Sequence, residues 1–296
     1  MIKESFSRKC FNVFNVILML AIVVLMVFPY LHVLAKALND GADTARGGIT
    51  IFPRVFTLEN FKTVIEDSAF PRAFMVSVSR VILGTIISVM IQFMAAYAFM
   101  KKDLAGRGIL KVILLIPMYF GGGAIPLFLV IKELGLLDTR LIMILLGSVS
   151  VSNVIMVRSF MYTNIPEELF DAAIMDGCGH GKFLVRIVLP LSKAIMSVMV
   201  LYLAVGYWNS YFNAMMFITD PNKYPLQLFL RRTLLLSSTL SQDKEILDPD
   251  YLSELLQRAS VIKYSIIVVA TAPILCVYPF IQKYFVKGVT IGAVKG

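Results

Sequence analysis

The sequence predicts an all-α, polytopic membrane protein with six transmembrane helices. Of its 296 residues, 58% are apolar and 16% charged, and the mean hydropathy is +0.79. Soluble domains carry about 45–50% apolar and about 25% charged residues, so the surplus exceeds what one water-soluble core can bury. The apolar residues also gather into six long runs. Six crossings of about 20 residues use about 120, leaving more than half of the chain for helix ends and connections. A soluble enzyme, a nucleic-acid-binding domain and a disordered chain are poor fits, despite the net charge of +9.

The first run, 12–38, follows Lys3, Arg8 and Lys9. It starts like a signal peptide but is too long and lacks a small-x-small cleavage site, so it reads as a retained helix. Further spans are expected at about 73–100, 109–131, 141–161, 191–218 and 262–286, making one transmembrane domain over 1–296. The third carries Pro117, Gly121-Gly122-Gly123 and Pro126. That composition predicts a kink or break, which a membrane tolerates only where protein or a water-filled cavity surrounds it. Close helix packing through the glycines is the competing explanation.

Short loops decide sidedness. Lys101, Lys102 and Arg107 crowd a very short loop, whereas the opposite face spreads its bases over two long segments. Both termini are therefore expected in the cytoplasm, and the basic balance reflects orientation and anionic lipid headgroups. The long outer segments, 39–71 and 219–261, read as solvated loops. Within them, 57–67 alternates like a short surface helix and 243–250 is acidic.

Catalysis on this chain is not expected. Cys10, Cys178 and Cys276 are far apart and odd in number, and His32 and His180 stand alone, so neither a disulfide framework nor a metal site is read. No phosphate-binding loop, zinc-protease motif or nucleophile elbow occurs.

The most informative stretch is the loop 162–190 between the fourth and fifth spans. It contains Ile165-Pro166-Glu167-Glu168-Leu169-Phe170-Asp171-Ala172-Ala173-Ile174-Met175-Asp176-Gly177, then nine residues, then Ile187-Val188-Leu189-Pro190. Pro166 suits a first helical turn, and Glu167, Glu168 and Asp171 favour its positive end. Leu169, Ala172 and Ala173 share one side at i, i+3 and i+4. Gly177 and Gly179 are placed to end the helix with positive φ, and Pro190 to begin the next span. Such a helix, with an acidic rim and a small-residue face, suits a groove on another protein.

This run resembles the EAA signature of bacterial ABC importer permeases: Glu-Ala-Ala, three residues, Gly, nine residues, Ile-x-Leu-Pro. Only the first position departs, where Asp171 is one methylene shorter than Glu. The resemblance extends over nearly the whole chain. Phe56-Thr57-Leu58-Glu59-Asn60-Phe61 and Ala95-Ala96-Tyr97-Ala98-Phe99, with Lys102-Asp103-Leu104-Ala105-Gly106-Arg107, are similar to the carbohydrate-uptake permeases that include the maltose permease pair. Arg80 with Gly84-Thr85, Phe120 through Pro126, and Tyr224-Pro225-Leu226-Gln227 resemble the complex-polysaccharide and oligosaccharide branch, which includes alginate importers.

The resemblance implies a type I ABC importer permease fold and a coupling helix within 167–181, with Glu167, Glu168, Asp171, Ala172, Ala173, Asp176 and Gly177 in contact with an ATPase. It implies a second homologous permease, two cytoplasmic ATPase subunits that carry ATP and Mg, and an extracytoplasmic sugar-binding protein. No cofactor is expected on this chain. An importer of saccharides needs polar and aromatic groups facing a cavity. Trp208 and Tyr211, and Asn209 and Asn213, are spaced to share helix faces; an interfacial aromatic belt is the alternative. Asn153 and the freed backbone of Gly122 and Gly123 are further pathway candidates, and Gln92 a weaker one. Arg80 is read either as snorkelling to headgroups or as salt-bridged inside the assembly. The alternatives are a non-sugar ABC cargo and an ion-driven secondary carrier. The latter requires intramembrane carboxylates, and no Asp or Glu lies in an expected span.

Overall fold

The computed structural model describes residues 6–240 and 262–279. In chain order the helices are α1 (Phe6–Ala37), α2 (Gly41–Ala45), α3 (Glu59–Glu66), α4 (Ala69–Met100), α5 (Arg107–Tyr119), α6 (Ala124–Glu133) and α7 (Arg140–Ser148). Then follow α8 (Val151–Asn164), α9 (Glu167–Met175), α10 (His180–Leu191), α11 (Lys193–Asn209), α12 (Phe212–Phe217), α13 (Leu226–Leu240) and α14 (Ile262–Pro279). The described residues contain no sheet, only one antiparallel bridge between Asn39 and Phe56. The contacts group into two compact units, one from the described residues within Met1–Phe70 and Leu230–Ala272, the other from Pro71–Phe229 and the residues after Ala272.

In the first unit, α1 is apolar all round and exposed as far as Phe28, the pattern of a helix whose solvent is lipid. Its last turns meet α14, where Lys36 Nζ donates to Tyr264 Oη at 3.4 Å. The segment after α1 is held by one side chain. Asn39 is 0% exposed; its amide nitrogen donates to Asp43 and Thr44, and its amide oxygen accepts from the Arg54 and Val55 backbone. Asn60, on α3, donates to the carbonyls of Ala37 and Asn39. The Asn39 hydrogen bond also holds the Asp43 carboxyl below its ordinary pKa. These bonds give 39–67 more order than a solvated loop, with Ile49 and Val64 buried. The expected surface helix is α3.

In the second unit, α4 is the unbroken rod, 32 residues or about 48 Å long. Its buried positions, among them Ala73, Val76, Ser77, Arg80, Gly84, Ser88, Gln92, Phe93, Ala96 and Tyr97, recur at helical spacing. The other spans of this unit are interrupted. The expected break at Gly121–Gly123 separates α5 from α6 with a bend of 120°. A Cβ at Gly121 or Gly122 would meet open space, which leaves the glycine-packing explanation without a partner among the described residues. Gly123, at φ +84°, takes a conformation that side chains disfavour.

Two spans differ from the sequence expectation. The fourth span is α7 and α8, bent by 50° at Val149–Ser150. The fifth is not continuous over 191–218: α10 and α11 meet at 85° around Ser192, and α11 gives way to α12 at Ser210–Tyr211. Pro190 therefore lies near the end of α10, and α11 begins after Ser192. The loop 162–190 is itself mostly helical, and α13 occupies part of the segment read as a loop. The acidic stretch 243–250 and the end of the last span, 280–286, lie outside the described residues.

Candidate functional site

Pro166, expected in the first turn, is instead the extended N-cap of α9, and Glu167 and Glu168 occupy the first turn, where acidic side chains complement the dipole. Its end is a Schellman turn: Cys178 N–H donates to Ala173 O and Gly177 N–H to Ile174 O, both at 2.8 Å. Gly177 has φ +71°, the left-handed value this motif needs. Gly179 does not share it; its φ is −71° and it precedes α10.

The two faces of α9 divide differently from the expected strip. Phe170, Ala173 and, beyond the turn, Cys178 pack into the core with Phe93, Ala96, Tyr97 and Phe183. Leu169 and Ala172 are exposed instead, because the helix turns its aromatic residue inward. Glu168, Asp171 and Asp176 are exposed with them, and Met175 is 87% exposed. Apolar and acidic groups thus share the free face.

The inward face is tied to the end of α4. Lys101 Nζ sits over the Phe170 ring and is 5.5 Å and 5.4 Å from the Tyr97 and Phe183 ring centroids. Burial pushes the Lys101 ammonium below its ordinary pKa, opposed by Asp103, Glu167 and Asp171. Lys102 Nζ donates to Glu167 Oε2 at 2.7 Å, a bond that raises the Lys102 pKa. His180 stacks on Phe170 and its Nδ1 lies 3.0 Å from Tyr97 Oη. An open cavity of about 220 Å³ lies beside Lys101, Lys102, Glu167, Phe170 and Phe183. Sequence reasoning missed this support; the signal was Phe170 and Ala173 three apart on one face.

The second group of candidates flanks the break at Ser210. Because α11 ends there, Trp208 and Tyr211 do not share a helical face, nor do Asn209 and Asn213. Trp208 is 7% exposed and packs edge-on to Phe74, at 5.9 Å and 80°, beside an apolar cavity of about 200 Å³. Asn209 and Tyr211 are exposed, and Asn213 and Asn153 are half-buried. Gly122 and Gly123 are exposed at the bend of the third span.

The breaks are held by polar side chains from α4. Arg80 is 4% exposed and faces inward, so it does not snorkel. Its Nη1 donates to Ser210 O at 2.8 Å, Nη2 to Ser210 Oγ at 3.2 Å, and Nε to Met143 O at 3.3 Å. No carboxylate among the described residues pairs with it. Tyr207 packs 5.6 Å from the guanidinium and donates to Ile144 O at 2.7 Å, with Ser88 Oγ 2.9 Å from its oxygen. Gly84 and Gly147 leave room for the Tyr207 ring. Gln92, read as a lining candidate, is instead buried and donates to Ser148 O at 2.9 Å. Two of these bonds serve a carbonyl at a helix break, Arg80 to Ser210 O and Gln92 to Ser148 O, where the regular ladder is interrupted; the others tie α4 and α11 to the body of α7 and to each other.

At the end of this unit away from α9, Asp138 joins the α6–α7 turn to the segment after α12. Its Oδ1 accepts from the Thr219 and Asp220 amides, and Lys223 Nζ donates to Oδ2 at 2.8 Å. Among the described residues, no group of three His, Cys, Asp or Glu side chains is placed to hold a metal.

Residues 84–291 match the family described as "Binding-protein-dependent transport system inner membrane component". Protein LplC of Bacillus subtilis (strain 168) is 37% identical over 98% of this chain and 96% of its own. The polygalacturonan/rhamnogalacturonan transport system permease protein YtcP of the same organism is 35% identical, over 96% and 97%. A chain of a crystallised bacterial ABC transporter "involved in the import of the acidic polysaccharide alginate" superposes with a TM-score of 0.84 at 26% identity, covering 96% of this chain and all of that one.

Proposed function

Because the chain belongs to the family of binding-protein-dependent transport system inner membrane components, we propose that it works as the membrane permease of an ATP-driven importer for oligosaccharides or polysaccharide fragments. The observation that carries the mechanism is the division of α9. Phe170 and Ala173 anchor it to its own bundle, while Glu168, Asp171, Ala172 and Met175 stay free for a partner. A helix anchored on one side and bare on the other can be pushed as a lever.

In this reading Glu167, Glu168, Asp171, Ala172, Asp176 and Gly177 form the coupling face against cytoplasmic ATPase subunits, which hold ATP and Mg. Ala173, expected on that face, is buried and joins Phe170 as the internal anchor. A second permease covers the bare apolar surface of α5, none of whose residues is buried. A sugar-binding protein delivers cargo on the other side of a bacterial cytoplasmic membrane, with both termini inside. The six crossings act as one permease domain. Closure of the ATPase pair displaces α9 and switches the bundle between two access states, to the extent that each ligand favours one of them.

The saccharide pathway is assigned to the breaks. Asn209, Tyr211 and Asn213 around Ser210, Asn153 on α8, and the backbone of Gly122 and Gly123 supply hydrogen-bonding groups, and Trp208 an aromatic wall. The similarity to YtcP and to the alginate importer supports a saccharide cargo. The test is co-purification of the ATPase subunits with the permease pair. Ala172→Arg is expected to abolish it while leaving the permease pair intact, and undiminished ATPase binding by that variant contradicts the coupling role.

A further inference from the structure

We infer that Lys101 is a positioning residue that clips α9 to the unbroken α4, so that movement of α9 reaches the break at Ser210 through a single rigid helix. The inference rests on the coupling role proposed for α9 and adds the route by which it acts. Lys101 follows the last residue of α4, where a cation complements the helix dipole, and its ammonium lies in a box of Phe170, Tyr97 and Phe183. Phe170 belongs to α9, Tyr97 to α4 and Phe183 to α10, so one ammonium touches all three helices. A partly desolvated cation over an aromatic face holds more strongly than an exposed one. The Lys102–Glu167 pair crosses the same junction, but both of its side chains are more than half exposed, and such pairs hold weakly.

Farther along α4, Arg80 binds both Ser210 and Met143. It lies 21 residues from Lys101, about 32 Å along the axis. No break interrupts α4 between the two, whereas the third, fourth and fifth spans all bend. A displacement of Phe170 is therefore passed on by α4 as a shift of the whole helix, and Arg80 carries it to the hinge between α11 and α12. The element is continuous and its two attachments are specific side chains, the physical requirement for coupling at a distance.

The test uses the assembled transporter in proteoliposomes, with Cys10, Cys178 and Cys276 replaced by serine and Tyr211→Cys as a reporter beside the break. The reporter's labelling rate with a water-soluble maleimide is compared without nucleotide and after vanadate trapping of Mg·ADP. In the otherwise unaltered assembly the rate is expected to change by about fivefold or more. With Lys101→Met or Phe170→Leu the change should fall below about twofold at equal trapped ADP, the two together no worse than either alone, while Lys101→Arg keeps the full response. A full response in Lys101→Met overturns the inference, as does a Lys101→Arg variant as impaired as Lys101→Met. If the unaltered assembly traps ADP but shows no change at residue 211, the alternating-access reading itself fails; if it retains no ATPase subunits, the coupling role of α9 does.

Discussion

Arg80 and Ser210 lie 130 residues apart in the chain and are joined twice, by bonds from one guanidinium to the serine's carbonyl and hydroxyl. A third bond from the same group reaches Met143. A helix that stops inside a membrane leaves carbonyls with no water to satisfy them, and an arginine offers several donors in a fixed fork. Arg80 thereby makes the interruption of the fifth span tolerable, and with it the irregular backbone of Ser210 and Tyr211 that follows Asn209.

Arg80→Met is expected to lower the apparent stability of the assembled complex by about 3 kcal/mol, because carbonyls lose charge-assisted donors. Gly84→Ala should cost about 1–3 kcal/mol by overpacking, since its Cβ would lie 2.7–2.9 Å from the Tyr207 ring. Gly206→Ala is the control: nothing lies within 4 Å of its Cβ, and the change should be neutral or stabilising. Thermal denaturation followed by size-exclusion chromatography checks all three. Equal midpoints for the two glycine variants would refute the packing account.

Gly177→Val forces a branched side chain into a left-handed turn, at about 1–2 kcal/mol. The Schellman bonds to Ala173 and Ile174 should fray and α9 lose its fixed end. The expected result is a complex that still inserts and assembles but hydrolyses ATP without moving saccharide. The ratio of uptake to hydrolysis measures it, and an unchanged ratio removes the requirement for this turn.

The Asp138 carboxyl is held down to about 2 by its hydrogen bond from Lys223, then by the Asp220 and Thr219 amides. Its pKa is depressed on folding, so the stabilisation is fully present above the ordinary value of 3.8 and is lost as pH falls towards 2. Asp138→Asn should therefore flatten the acid side of the stability profile in that window and destabilise the protein at neutral pH. A pH series of melting curves on both proteins checks this; identical acid limbs would exclude Asp138.

Asn39 is a buried amide whose donors and acceptor are both in use, and Asn39→Ala leaves the Arg54 and Val55 amides without their partner. The cost expected is about 2–3 kcal/mol, expressed locally as faster proteolysis near residues 46–56. Limited trypsin digestion, which can cut at Arg46 and Arg54, measures it. Cleavage at the parental rate would mean that the bridge, not the side chain, holds the segment.

The membrane class and the approximate spans were legible because apolar surplus and run length are properties of the sequence itself. The helix at 167–175 was legible from Pro166, its acidic first turn and Gly177, all local signals. The breaks at Val149–Ser150 and Ser210–Tyr211 were not, since neither holds a proline or a glycine run; their end carbonyls are taken up by Gln92 and Arg80 of α4, far away in the chain. The same distance hid the roles of Lys101 and Phe170. Periodicity counted through Ser210 placed Trp208 with Tyr211, and the interruption of the helix undid that pairing.

The most direct measurement is saccharide accumulation in proteoliposomes, with neutral and uronate oligosaccharides, comparing the full assembly with this permease reconstituted without ATPase subunits. Accumulation should appear only with the ATPases and ATP present and vanish with Ala172→Arg. Accumulation by the permease without any nucleotide-hydrolysing partner would contradict the account.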